Sequence, residues 1–279
     1  MDTVETRIRH AMDADRDGIR QYLHDPSDKV VFALLANRHI TEDELLVLAK
    51  RRDLPAEALG GIAARRFTDE GYKVKLALVN NPRTPRRTAL GFLREMRLRD
   101  MAYVTTNKVL PTELRQAAEG MLREKLPSIP LGVKVGLARQ VSEDVIKTLL
   151  LDGNPHLIKA CFENPRLKEA VVLWAVNHAT VPARVVGFIA ASQRWSVNQN
   201  IRYALVRNRN TPVESAMEFV RGMNSNDQRS LYNDPSVPVS VKVQLEIELE
   251  RKGEPLSPPS ESGRVIGIPH EIDEGEDFM

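Results

Sequence analysis

The sequence predicts an all-α protein: an α-solenoid of stacked short antiparallel helices, built from a tandem 127-residue duplication and followed by a disordered C-terminal tail. Three observations carry that expectation. Aromatic residues make up only 5% of the chain, with two Trp and five Tyr, while Leu, Ala, Val and Arg recur throughout; this favours helices over a β-sandwich, whose strands draw on aromatic and β-branched runs. The chain matches itself at an offset of 127 residues with 30 identities over 126 pairs, where average composition gives roughly eight. Signals that stop one helix are followed within a few residues by signals that start the next, which forces consecutive helices into antiparallel contact.

The offset pairs Ala11 with Ala138, Asp25 with Asp152, Asn37 with Asn164, Pro55 with Pro182, and Ile62-Ala63-Ala64 with Ile189-Ala190-Ala191. It continues through Ala77-Leu78-Val79 and Ala204-Leu205-Val206, Asn81 and Asn208, Thr84-Pro85 and Thr211-Pro212, and Arg94 and Arg221. Residues 1–126 and 128–253 therefore read as two copies of one solenoid unit, the second continuous with the first, and residues 254–279 as a tail outside the repeat. Within each copy, a step of 44 residues separates Leu34 from Leu78 and Cys161 from Leu205. Three steps averaging about 42 residues per copy, a length typical of helical repeats, predict six units. Leu98 to Pro130 lacks the punctuation of the other segments and reads as an irregular pair.

In chain order, Asn37 closes the helix through Leu34, because asparagine tolerates the left-handed backbone that ends helices. Thr41 opens the next as N-cap, with Glu44 completing a capping box and Leu45, Leu46, Leu48 and Ala49 forming one apolar stripe. Asn81-Pro82 and Thr84-Pro85 repeat the stop and the start. In the second copy Asn154-Pro155 and Asn164-Pro165 forbid helix continuation. Asn208 followed by Thr211-Pro212-Val213-Glu214 gives a further stop and start, with proline at the first helical position, where its missing N–H costs nothing.

The net charge of +2 conceals an asymmetry. The tail opens with Pro255, Pro258 and Pro259 among serines and ends in acids, carrying −6, so the body carries +8, divided as +4 per copy. A tail of this composition is expected to be disordered and either to dock on its own basic body or on another chain. The single cysteine, Cys161, excludes an intramolecular disulfide, and no apolar run approaches the 18 residues of a membrane span. A cytoplasmic location without membrane attachment is the expectation.

The pattern Ala-Leu-x-x-Asn-x-x-Thr-Pro, standing as Ala77 to Pro85 and Ala204 to Pro212, resembles bacterial α-solenoids of the HEAT-like and leucine-rich-repeat-variant type. The resemblance covers most of residues 1–253. It implies a non-catalytic scaffold that mediates protein contacts. One relative of that type carries an N-terminal cysteine cluster for an iron–sulfur centre; this chain has no such cysteines, so no cofactor is carried over.

No catalytic or metal signature emerges. Cys161 aligns with Leu34 and reads as a core residue. The histidines, His10, His24, His39, His156, His178 and His270, show no i,i+4 pairing. Gly60-Gly61 lacks the Lys-Ser/Thr of a phosphate loop. Acids shared by the copies, such as Asp17 and Asp144, Asp25 and Asp152, or Asp100 and Asp227, read as structural. The candidate partner-binding residues are the basic stretch Arg83, Arg86, Arg87, Arg94 and Arg97, with Arg221 matching Arg94, and Trp195 as an exposed anchor. The function expected is a non-enzymatic repeat scaffold mediating protein–protein interaction through a basic extended surface. The alternative is a nucleic-acid-binding HEAT-like solenoid acting on DNA bases.

Overall fold

Short apolar stripes broken every eight or nine residues by Asn, Pro and Thr give short helices. The computed structural model describes residues 3–68, 71–254 and 256; the expected acidic tail lies, beyond Glu254 and Leu256, outside the described residues. The described residues form nineteen α-helices and no strand, and none of the helices is long and apolar enough to cross a membrane. The chain divides into two compact units, residues 1–189 and 190–279.

The first unit begins with α1 (Val4–Asp13), α2 (Arg16–Tyr22), α3 (Asp28–Ala36), α4 (Glu42–Lys50) and α5 (Ala56–Ala63). It continues with α6 (Tyr72–Val79), α7 (Arg86–Leu93), α8 (Leu98–Thr106) and α9 (Thr112–Lys125), the last running into a 3-10 turn at Leu126–Ser128. It ends with α10 (Leu131–Ala138), α11 (Glu143–Leu150), α12 (Pro155–Phe162), α13 (Glu169–Asn177) and α14 (Ala183–Ala191), which contains the division. The second unit holds α15 (Gln193–Ser196), α16 (Gln199–Arg207), α17 (Val213–Arg221), α18 (Ser225–Tyr232) and α19 (Val239–Arg251).

Packing is local in both units. In the first, α1 packs on α3, α3 on α5, α4 on α6, α7 and α8 on α9, α10 on α12 and α11 on α13; in the second, α16 packs on α17, and α17 and α18 on α19. The interior is aliphatic, with Leu34, Leu48, Leu59, Ile62 and Leu78 fully buried, each contributing about 1.5–3 kcal/mol from its removal from water. Cys161 lies in this interior, as the sequence suggests, and burial pushes its thiol pKa up to about 12.

The expected capping box at Thr41 is present. The Thr41 N–H donates to the Glu44 carboxylate at 2.9 Å and the Thr41 hydroxyl bonds the same oxygen. Burial raises the pKa of Glu44, but these hydrogen bonds outweigh it and hold the group below its ordinary value.

Two local expectations are corrected. Asn37 and Asn208 do not take the left-handed conformation, since their φ angles are −65° and −85°. The asparagines act through their side chains instead: Asn37 Nδ2 donates to Ala11 O and Ala14 O, both at 2.9 Å, while its Oδ1 accepts the His39 N–H at 2.7 Å. Asn164 makes the same set with Ala138 O, Val141 O and the Arg166 N–H. Nor does proline occupy the first helical position at Thr84-Pro85 and Thr211-Pro212. Pro85 and Pro212 are the N-caps, with φ of −51° and −54°, and the threonines reach backwards, each hydroxyl donating at 2.6 Å to Leu78 O or Leu205 O. A threonine–proline pair thus closes the preceding helix as it opens the next.

Side-chain ties also join the ends of alternate helices. Arg51 reaches back 28 and 26 residues to Leu23 O and Asp25 O, and Asn81 reaches back 32 and 30 to Ala49 O and Arg51 O. The region read as irregular, Leu98 to Pro130, is the regular pair α8 and α9 plus the 3-10 turn.

Candidate functional site

Within the first unit, α4, α6 and α8 together wall a groove made of two depressions that share Leu46, Lys73 and Leu76. One half, of about 410 Å³, has an apolar floor of Leu46, Ala49, Leu76 and Ala77, with Lys50, Arg52, Lys73, Asn80 and Tyr103 around it. Among the described residues no acid lines this half. Lys50, Arg52 and Lys73 are exposed and form none of the ion pairs among the described residues. Tyr103 is 56% exposed.

The helices place these groups by periodicity. Leu45, Leu48 and Ala49 turn into the core of α4, which leaves Leu46 and Lys50, one turn apart, on the groove side. On α6, Val74, Leu78 and Val79 are buried, so Lys73, Leu76 and Ala77 face the groove.

The other half, of about 780 Å³, is electrostatically mixed. Arg16, Lys73 and Arg97 stand with Glu42, Asp43 and Asp100. Two of these acids are already engaged. Glu42 accepts the Thr68 N–H at 2.6 Å and its hydroxyl at 3.0 Å. Asp100 accepts the Tyr72 hydroxyl at 2.5 Å, and burial together with that carboxylate raises the Tyr72 pKa. The Arg97 guanidinium lies 4.6 Å from the Tyr72 ring centre, and the Arg97 N–H donates to the Tyr72 oxygen at 3.0 Å. Asp43 is exposed at the rim.

The arginines singled out in the sequence do not converge on one site. Arg97 belongs to the groove wall. Arg83 donates to Asp53 O at 2.8 Å, Arg86 pairs with Glu113 at 2.9 Å, and Arg221 lies 3.8 Å from Glu248. Arg87 and Arg94 are exposed, seven residues apart along the same side of α7 and its C-cap, and neither lines the groove. Trp195, expected as an exposed anchor, is 8% exposed. Its indole is buried, with the Arg194 guanidinium 4.6 Å from the ring centre. Trp174 is half-buried, with Lys147 5.9 Å above the ring and His178 4.7 Å away.

Lys50, Arg52, Lys73 and Tyr103 escape the sequence reading because identity between the halves was its guide. At the offset of 127 residues they align with Asn177, Ala179, Asn200 and Ser230, so a comparison of charge rather than identity would have marked them. No group of three or more His, Cys, Asp or Glu side chains placed to hold a metal ion occurs among the described residues. The chain matches no protein-family model, no curated protein and no solved structure at a significant level.

Proposed function

We propose that this chain is a non-enzymatic helical-repeat scaffold, a duplicated α-solenoid of the HEAT-like, leucine-rich-repeat-variant type, that binds another protein through a basic surface. The single observation that carries the reading is the set of three cations, Lys50, Arg52 and Lys73, gathered over an apolar floor with no acid among the described residues that line it. Exposed charge held without a counter-ion contributes nothing to stability, whereas it raises the encounter rate with a partner of opposite sign.

Local packing supports the solenoid, because helices that touch mainly their near neighbours in sequence are the mark of quasi-one-dimensional folds. The duplication is supported by contacts that recur at the 127-residue offset. Arg7 pairs with Asp25 at 2.8 Å and Lys134 with Asp152 at 3.0 Å; Tyr72 donates to Asp100 and Gln199 to Asp227. A scaffold rather than a catalyst is supported by where the displaced carboxylate pKa values fall. Glu44 is held in a cap, Asp53 by Arg51, and Asp234 at about 2 by Ser236 and Arg207, all structural pairings.

The test is a pulldown from native lysate with the full chain and a Lys50→Glu, Lys73→Glu variant, each with and without nuclease. A protein that survives nuclease and is lost with the charge reversal supports the reading; recovery of nuclease-sensitive material alone overturns it. The second reading, nucleic-acid binding, is favoured by one observation: the exposed Tyr103 ring beside these cations, the pairing used to stack bases along a strand. It demands that affinity fall with salt at a log–log slope of about −0.7 per phosphate contact on single strands.

A further inference from the structure

We infer that the α4–α6–α8 groove receives an extended acidic segment of a partner protein, in which a run of carboxylates follows one or two apolar side chains. The inference rests on the proposed protein-binding role and names the chemistry of the partner and the place it binds.

Charge polarity along the groove carries it. At the Asn80 end stand Lys50, Arg52 and Lys73, with no acid among the described residues that line the same depression. Past the shared Leu46–Leu76 ridge, the groove acquires Glu42, Asp43 and Asp100 opposite Arg16 and Arg97. A ligand that is negative along its whole length meets attraction at the first end and, with Arg16, Lys73 and Arg97 balanced by Glu42, Asp43 and Asp100, no net attraction at the second. Asp43 in particular is exposed and among no ion pairs of the described residues. A phosphate backbone is such a ligand; a peptide whose carboxylates are confined to one end is not.

The floor points the same way. Leu46 and Leu76 are half-buried at the centre of the groove, and Tyr103 offers an exposed ring at its wall. Apolar side chains inserted there gain about 25 cal/mol for each Å² removed from water, and the Tyr103 ring is covered at the same time. Nucleic acid has rings for Tyr103 but, beyond a thymine methyl, no aliphatic group for the leucine floor, and the groove offers it no second exposed aromatic to continue a stack. Asn80, its Nδ2 held by Leu76 O at 2.9 Å and its Oδ1 accepting from Asn107 Nδ2 at 3.4 Å, keeps one lone pair of its amide oxygen beside the cations for a peptide N–H.

The experiment measures fluorescence anisotropy of the full chain with three probes. These are a fluorescein-labelled dodecapeptide of two leucines followed by glutamates and aspartates, the same peptide with Gln and Asn replacing the acids, and labelled oligo(dT). The acidic peptide is expected to bind at least tenfold more tightly than the amide peptide and than oligo(dT). Lys50→Glu with Lys73→Glu should weaken it at least tenfold, Arg52→Glu alone about threefold, and Tyr103→Ala about threefold. Arg87→Glu with Arg94→Glu, on the helix that does not line the groove, should leave it within twofold. All are exposed positions, and circular dichroism of each variant verifies folding. Absence of peptide binding, or binding indifferent to Lys50 and Lys73, overturns the inference. If affinity depends on Arg87 and Arg94 instead, the groove is wrong and the protein-binding role stands. Preferential binding of oligo(dT), lost with Lys50 and Lys73, removes both.

Discussion

The side-chain amide of Asn81 lies 2.7 Å from the carbonyl oxygen of Arg51 and 2.9 Å from that of Ala49. These two carbonyls end α4 and have no partner within the helix. Arg51 in turn donates to Leu23 O at 2.7 Å and Asp25 O at 2.9 Å. The C-terminus of each helix in this series is thus satisfied by a side chain from the end of the helix after next, and the loops stay short because they carry the helix caps themselves.

Asn81→Ala is therefore expected to cost about 1–3 kcal/mol, since it leaves two buried carbonyls and the Arg83 N–H without their partner. Asn81→Asp should be no better, because a carboxylate presents an acceptor to two acceptors. Urea denaturation measures both; a wild-type midpoint for either variant would show that water replaces the amide without loss.

Gly153 sets a second constraint. Its φ is +72°, and a Cβ built on it would sit 3.0 Å from Pro182 Cγ. Gly153→Ala combines the left-handed penalty of about 1–2 kcal/mol with a contact that Pro182 must yield to. Thermal melts should place Gly153→Ala below wild type, and Pro182→Ala in the same chain should recover part of the difference. Full stability of Gly153→Ala would mean that the turn has other conformations open to it.

How much of this was legible in the sequence depends on whether a residue acts locally. The capping box at Thr41 and Glu44 was legible because its partners are three residues apart, and Cys161 because it replaces a leucine on an apolar face. The role of Asn37, Asn81 and Asn164 was not. Their partners lie 23 to 32 residues back, and a propensity for left-handed backbone accounts equally well for an asparagine at a helix end. The burial of Trp195 was not legible for the same reason, as burial of a ring depends on which helix arrives above it. The groove is the least legible feature, because Lys50, Lys73 and Tyr103 come from three helices and meet only once α4, α6 and α8 are side by side.

The Glu44 cap makes stability respond to acid. Its folded-state pKa is held below the ordinary 4.5 by Thr41, so its stabilising contribution is complete above that value and is lost as pH falls through the folded-state pKa. Glu44→Gln removes this titration while keeping a hydrogen-bond acceptor for the Thr41 N–H. The difference in unfolding free energy between wild type and Glu44→Gln should be constant from neutral pH to about 5 and shrink below 4. A difference independent of pH down to 2 would show that the carboxylate is not titrating against the cap.

Cys161 gives a probe of how the first unit opens. The thiol is fully buried and its pKa is pushed from an ordinary 9.0 up to about 12, so thiolate at neutral pH is depleted about a thousandfold by burial alone. Alkylation of the native chain should be slower than that of a free thiol by at least this factor, and the residual rate should rise with urea in proportion to the opening of α12 against α10 and α11, the helices it packs on. Local opening predicts a shallow urea dependence, because few residues are exposed; cooperative unfolding of the unit predicts the full slope of the equilibrium transition. Local ties through Asn164 to Ala138 and Val141 hold α12 to α10 at two points. Asn164→Ala should therefore accelerate alkylation more than an equally destabilising substitution remote from α12, such as Asn81→Ala.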